Sequence, residues 1–242
     1  MISFLLKDVS NNKTIISKNS NLSLNTASLA KVFYALEVLD RLDKNQIFNK
    51  SIRIQKKDIE GYGTDVLNDI VCDKNIIELD LMSLVGLMLK YSCNSSTKLI
   101  VSNFLGDRKL LQNEAIQKWN LSGTQLVDKR GNIEAKFSID DLSNIFSRIY
   151  EGGGKNWLYA QNKLKESRNI YYLLDQKEVN VLGSKSGTVN INGIYWVSNC
   201  AMFQIGEHIY FIGAVVSNKH ISKAVQKIRQ IGKALFNNIR IK

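Results

Sequence analysis

The 242-residue sequence predicts a mixed α/β (α+β) fold: one antiparallel sheet built from both chain ends and flanked by helices, plus an inserted all-helical lobe. Three observations carry this. Strand-like patterns with turn residues stand at both termini. Apolar stripes at helical spacing fill the middle. An amphipathic helix closes the chain. Terminal strands that share a sheet must be brought together across the intervening helices. This divides the chain into a sheet lobe of residues 1–27 and 178–242 and a helical lobe of residues 28–177. The site is expected between them, in one structural unit.

Taken in order, Ile2 to Val9 and Thr14 to Ser17 read as strands around an Asn11-Asn12 turn. A polar Asn/Ser stretch leads to a helix from Leu29 to Leu42. Its stripe of Leu29, Val32, Phe33, Leu36, Leu39 and Leu42 is widened by Ala30, Ala35 and Val38, so the helix is buried on most sides. Further helices are expected over Leu81 to Tyr91, Ser96 to Phe104 with Gly106 as its stop, and Asp107 to Trp119. Ser138-Ile139-Asp140-Asp141 opens another that stops at Gly152-Gly153-Gly154. Asn156 to Leu174 reads as helical with a break. The period then changes: Val181 to Val189, Ile194 to Gln204 and His208 to Val216 read as strands, joined through Asn190-Ile191-Asn192-Gly193 and around Gly206. Asn218 to Ile239 is the final helix.

Composition narrows the classes. Hydrophobic residues are 44% and charged residues 23%, the balance of a folded soluble chain. No apolar run approaches the length of a membrane-spanning helix; Leu81 to Leu89 reaches about half of it. The formal charge of +11 permits an anionic neighbour, but the basic residues are scattered. The densest set, Lys219, Lys223, Lys227, Arg229, Lys233, Arg240 and Lys242, fits a solvated helix face. Without interleaved aromatic and basic residues, nucleic acid is not expected as a partner. The three cysteines, Cys72, Cys93 and Cys200, make no disulfide framework. With two histidines they make no zinc-site spacing, so no metal is expected. Ile2 to Leu6 is too short for a signal core. The chain is thus either cytoplasmic with Met1 as its native start, or an extracytoplasmic mature form.

Three short motifs carry chemistry. Ser28-Leu29-Ala30-Lys31 opens the first buried helix. The spacing places Lys31 one turn above Ser28 on the same face. A helix start favours developing negative charge. A lysine among Ala30, Val32 and Phe33 has its ammonium form disfavoured, which makes it a plausible base for the serine. Ser-x-x-Lys also occurs at Ser10 and Ser95, but neither opens a buried helix. Tyr91-Ser92-Cys93-Asn94 offers a hydroxyl and an amide between two helices. Lys185-Ser186-Gly187-Thr188 lies in a strand before a hairpin. There Gly187 permits close approach, Lys185 and Ser186 suit a carboxylate, and the Thr188 N–H suits an oxyanion hole shared with the Ser28 N–H.

In this order and these contexts the three motifs resemble the penicillin-recognising serine enzymes, in particular the class A β-lactamase family. The resemblance covers nearly the whole chain, from the Ala27-Ser28-Leu29-Ala30-Lys31-Val32 helix through Leu105-Gly106 to Thr188. It implies a β-lactamase/transpeptidase-like fold and acyl transfer with no cofactor. Ser28 attacks a lactam or amide carbonyl and Lys31 accepts its proton. Ser92 shuttles that proton to the leaving nitrogen, linked to Lys31 and Lys185. Asn94 bonds the substrate's amide, and Lys185, Ser186 and Thr188 hold its carboxylate. The implied partner is a small β-lactam or peptidyl amide, taken up by a monomer.

Two departures qualify the resemblance. Cys93 stands where the family usually has Asp. Between Leu126 and Phe137 the chain reads as a shortened solvent loop without the family's Glu-x-x-Leu-Asn, leaving Asp128 and Glu134 as candidate deacylating bases, with Glu134 the surrogate. The readings that follow are a β-lactamase-like hydrolase with slow deacylation, a D-Ala-D-Ala carboxypeptidase, amidase or esterase, and a penicillin- or ligand-binding protein that does not turn over.

Overall fold

The structure, a computed structural model, describes residues 1–59, 64–74, 76–127, 133–167, 173 and 179–240. Both chain ends build one five-stranded sheet. Its strands are β1 (Ile2–Asp8), β2 (Lys13–Lys18), β8 (Asn180–Ile191), β9 (Ile194–Ile205) and β10 (His208–Asn218), in the order β2-β1-β10-β9-β8. Every ladder is antiparallel. The junction of the two ends is β1 on β10, with Ile2 opposite Val216 and Asp8 opposite Tyr210.

Local sequence explains the turns. Asn192 and Gly193 both have positive φ, 52° and 79°, as the tight β8–β9 hairpin requires, and the Gly193 N–H donates to Asn190 Oδ1 at 3.0 Å. Asn12, with φ 50°, closes the β1–β2 turn, its N–H donating to the Val9 carbonyl at 3.1 Å.

Strand alternation gives the sheet two dry faces. Leu5, Cys200, Met202, Phe211 and Val215 face the main core. Leu6, Val197, Ala201, Phe203, Ile212 and Ala214 face the other way, onto α8 (Ile221–Arg240), which supplies Ala224, Ile228, Ile231, Leu235 and Phe236.

The main core is helical and centred on α1 (Ala30–Asp43), in which every residue from Ala30 to Leu39 is buried. Two of these buried positions are charge-bearing, Lys31 and Glu37; Glu37 is answered by Lys118 at 3.0 Å, by Arg41 at 3.4 Å and by the Trp119 indole N–H. Around α1 stand α3 (Leu81–Lys90), α4 (Asn94–Ile100), α5 (Arg108–Gln117), α6 (Ile139–Glu151) and α7 (Lys155–Lys165). Ser138 caps α6 by accepting the Asp141 N–H at 3.0 Å. Phe146 of α6 packs on Phe211 of β10, ring centroids 5.6 Å apart, and ties the helices to the sheet.

The middle of the chain departs from the helical expectation in four places. The helix read from Ser96 begins two residues earlier at Asn94, and its last turn, Val101–Leu105, is π-helical, with the Gly106 N–H reaching back to the Val101 carbonyl at 2.9 Å. A two-stranded ladder pairs β4 (Ser51–Gln55) with β5 (Ile76–Asp80). Arg53 and Glu78 face one another across it, so the pairing draws on polar cross-strand neighbours that an apolar pattern does not report. A further helix, α2 (Val66–Lys74), lies between these strands. The fourth place is the segment between Leu126 and Phe137, read as a solvent loop. Its two ends are strands: β6 (Gln125–Val127) and β7 (Ile133–Phe137) pair with each other, and β7 pairs with β3 (Leu24–Asn25). These strands are too short to show alternation, and tertiary partners make them. Asp128 lies outside the described residues; of the helix with a break expected over Asn156 to Leu174, the structure shows α7 ending at Lys165 with Glu166 as its C-cap, and 168–172 and 174 lie outside the described residues. Among the described residues no helix is long and apolar enough to cross a membrane.

Candidate active site

Ser28 is delivered by a short, clamped stretch. The Thr26 N–H and Oγ1 both donate to the Ala135 carbonyl of β7, at 2.9 and 3.1 Å. The Thr26 carbonyl accepts from Ser198 Oγ of β9 at 2.9 Å. The chain then enters a 3-10 turn, Ala27–Leu29, and only afterwards the α-helix. Ser28 therefore sits in the turn that precedes α1 rather than in its first α-helical turn. Ala27 has φ 49°. Among the described residues, seven non-glycine residues have positive φ; five are Asn, and the other two are Ala27 and Ser92. Such a backbone costs about 1–2 kcal/mol for a side chain that gains nothing from it. Strain of this kind gathers at functional positions; here Ser92 lies within its motif and Ala27 immediately precedes Ser28.

Lys31 is 5% exposed and draws the helical motifs together. Its Nζ donates to Ser28 Oγ at 3.2 Å, to the Ser92 carbonyl at 2.6 Å, to Ser92 Oγ at 3.2 Å and to Asn94 Oδ1 at 2.7 Å. Burial lowers its pKa from 10.5 to about 8, with Cys93 and Asp65 opposing the shift. Near neutral pH a fraction of the amine is thus neutral and within reach of a serine hydroxyl. Ser92 and Asn94 are presented by the turn between α3 and α4. Cys93 is the N-cap of α4, its Sγ accepting the Ser96 N–H at 3.5 Å.

The opposite wall is β8, an edge strand of the main sheet. Lys185 pairs with Cys200, Ser186 with Asn199, Gly187 with Ser198 and Thr188 with Val197. Lys185 is wholly buried. Burial lowers its pKa to about 7, and repulsion from Lys31 adds to the shift. Its Nζ donates to the Ser186 carbonyl at 3.0 Å, and its own carbonyl accepts from Asn199 Nδ2 at 3.1 Å. Gly187 meets the nucleophile turn directly. A Cβ there would lie 2.4 Å from the Thr26 carbonyl oxygen and 2.8 Å from the Ser28 nitrogen. Thr188 is exposed, at the open end of this wall.

The match to a family model decides the affiliation. The model described as the beta-lactamase enzyme family, Beta-lactamase2, matches residues 1–239. The chain belongs to the beta-lactamase enzyme family. Solved structures share the fold of this beta-lactamase family chain. "Structure of PBP-A" superposes with a TM-score of 0.83 at 16% identity, covering 100% of this chain and 91% of that one. A representative of class A beta-lactamase from Bacteroides cellulosilyticus DSM 14838 gives 0.84 at 16% identity, with 100% and 92% covered. TLA-1 extended-spectrum beta-lactamase gives 0.82 at 18%, with 99% and 92% covered. At such identities the likeness is one of fold. No curated protein sequence matches the chain.

In this beta-lactamase family chain the structure brings Ser28, Lys31, Ser92 and Asn94 into one hydrogen-bonded group and sets Gly187 against it. Glu134 lies on β7, next to the Ala135 carbonyl that holds Thr26; its side chain is outside the described residues. Three residues unread in the sequence frame the site: Thr26, Ser198 and Asn199. Asn199 and Ser198 stand across from Ser186 and Gly187, a register invisible until β8 and β9 pair, and Thr26 enters through its bonds to Ala135 of β7 and Ser198 of β9. Among the described residues no group of three or more His, Cys, Asp or Glu side chains could hold a metal ion.

Proposed function

We propose that this chain is a serine acyl hydrolase of β-lactam amides, with Ser28 as the nucleophile of an acyl-enzyme. The observation that carries the reading is the Lys31 amine, with a pKa of about 8 and 3.2 Å from Ser28 Oγ. Lys31 takes the serine proton as the Ser28–carbonyl bond forms. The N–H groups of Ser28 and Thr188 bind the developing oxyanion. Ser92, bonded to Lys31, relays the proton to the nitrogen as the lactam C–N bond breaks. Asn94 bonds the substrate amide. Lys185, Ser186 and Thr188 take its carboxylate, with Gly187 keeping the wall close to Ser28. The groups stand where the sheet lobe, 1–27 and 178–242, meets the helical lobe, 28–177.

Deacylation is slow in this reading, with Glu134 the surrogate base. A second reading, a penicillin-binding or peptidase-like protein that keeps its acyl group, is favoured by the acceptors around Lys31. Among the described residues they are two hydroxyls, a carbonyl and an amide rather than a carboxylate. "Structure of PBP-A" and a penicillin G acyl-enzyme complex of a PBP-A mutant stand among the structural neighbours, the latter at a TM-score of 0.82 and 15% identity.

The deciding experiment follows intact mass from seconds to hours with a penicillin. A transient adduct on Ser28 with consumption of the lactam supports hydrolysis, and a lasting adduct supports the second reading. Ser28→Ala should show no adduct while keeping the wild-type circular dichroism; an undiminished adduct in that variant would refute the assignment. If Glu134 is the base, Glu134→Gln prolongs the adduct without slowing its formation.

A further inference from the structure

The Ser92–Asn94 turn that faces Lys31 is held from behind by a carboxylate outside the three motifs. Asp65 lies one residue before α2. Its Oδ1 accepts from Cys93 Sγ at 3.1 Å, and its Oδ2 accepts from Ser95 Oγ. The adjoining Thr64 carbonyl accepts the Asn94 N–H at 3.0 Å. Three successive residues are thus tied to Thr64 and Asp65. The same turn holds Ser92 at φ 59° and presents Ser92 and Asn94 to Lys31 Nζ. A strained turn keeps its shape only where its surroundings over-determine it. Asp65, using both carboxylate oxygens, supplies that.

We propose that Asp65 is a positioning residue of the Ser28–Lys31 site, its carboxylate clamping Cys93 and Ser95 so that Ser92 and Asn94 meet Lys31. For its effect on activity the proposal rests on the acyl-transfer reading above; for its effect on Lys31 it does not.

Among the described residues three ionisable side chains act on Lys31: Asp65 before α2, Cys93 at the start of α4 and Lys185 on β8. Burial raises the Cys93 thiol pKa, so near neutral pH it is a neutral donor. Among the described residues Asp65 is then the anionic group that favours the Lys31 ammonium, while Lys185 repels it. Asp65 both shapes the turn and holds part of the lysine's proton affinity.

The test moves the charge across the hydrogen bond. Asp65→Asn, Cys93→Asp and the double variant are compared by acylation rate with a chromogenic cephalosporin, and by carbon NMR titration of Lys31 in lysine-labelled protein. Asp65→Asn acylates about tenfold more slowly, through misplacement of Ser92, and its Lys31 midpoint moves to lower pH. Cys93→Asp alone is also slower, because it sets two carboxylates at hydrogen-bond distance. The double variant returns the carboxylate to the clamp and recovers both readings to within about threefold of wild type, a coupling expected only of contacting residues.

An unchanged Lys31 midpoint in Asp65→Asn, or a double variant no better than the poorer single one, overturns the proposal. If Asp65→Asn does not fold, the double variant decides, because a clamp role requires it to fold and recover. If the wild type forms no adduct, the functional reading fails, and the Lys31 midpoints across the three variants still decide the role of Asp65.

Discussion

The two walls of the site treat a buried lysine in opposite ways. On the helical wall Lys31 Nζ has four acceptors within 3.2 Å, more than its three N–H bonds can serve at once. On the strand wall Lys185 is wholly buried and donates to one backbone carbonyl. Both pKa values fall, to about 8 and about 7, and burial is the first cause in each. The difference lies in what remains to be satisfied. On the helical wall the hydrogen-bonding capacity of Lys31 is filled from within the protein. On the strand wall, among the described residues, Lys185 Nζ has one acceptor, and the proposed function gives the substrate carboxylate the remaining capacity. Under the proposed function one wall serves chemistry and the other capture, and that contrast can be broken experimentally.

The largest effect is expected at Lys31. Lys31→Met should slow adduct formation on Ser28 by about 10³-fold, the scale of a lost general base, measured as the acylation rate at saturating lactam. Binding should change little. Loss of binding with an unchanged acylation rate would reverse the assignment of the two walls.

Next comes Gly187→Ala. The added methyl would meet the Thr26 carbonyl oxygen at 2.4 Å and the Ser28 nitrogen at 2.8 Å, and both belong to backbone held by β7 and β9. The walls must part. The expected loss is about 1–3 kcal/mol of stability, as for other overpacking, with a fall in acylation beside it. Urea denaturation and adduct kinetics read the two effects. A variant as stable and as fast as wild type would mean that the walls do not depend on this contact.

Lys185→Met should be milder and selective. Capture of a carboxylate-bearing lactam should weaken about tenfold, the loss of one charge-assisted hydrogen bond to a charged partner. An esterified analogue should be taken up as by wild type. Equal losses for both ligands would make Lys185 a structural group.

A last contrast is in the pH dependence of stability. Both lysines have folded-state pKa values below the ordinary 10.5. Below about pH 7 folded and unfolded chains both carry the protons, and the cost of burying two ammonium groups is present in full. Between about pH 7 and 10.5 the folded chain releases protons that the unfolded chain retains, so these groups make stability rise with pH. The advantage of Lys185→Met over wild type in thermal midpoint should therefore be greatest near pH 6 and shrink towards pH 10. A constant difference across that range would show that Lys185 does not titrate in the folded protein.

Much of this was legible in the chain. The Asn190–Gly193 turn, the Ser138 cap, the apolar stripe of α1 and the alternation of β9 and β10 are local signals, since each depends on residues a turn or a strand apart. Ser28 and Lys31 were legible for the same reason: a spacing of three on a helix face is contact by construction. Ser92 and Lys185 could be named from their motifs, but their distances to Lys31 and Ser28 could not.

Tertiary structure decided the rest. The β4–β5 and β3–β7–β6 ladders are too short and too polar to announce themselves, and they exist because partners far along the chain offer backbone hydrogen bonds. The 3-10 turn that sets Ser28 ahead of α1 follows from Thr26 being held by β7 and β9. The lowered pKa values of the two lysines follow from burial, a property of what surrounds a residue and not of its neighbours in sequence. Asp65 shows the division most plainly. Nothing in its local sequence marks it, yet its carboxylate closes on Cys93 and Ser95 because folding lays the approach to α2 against the start of α4. Sequence alone determines contacts that local geometry forces; those that need two distant segments to meet are settled only when the core packs.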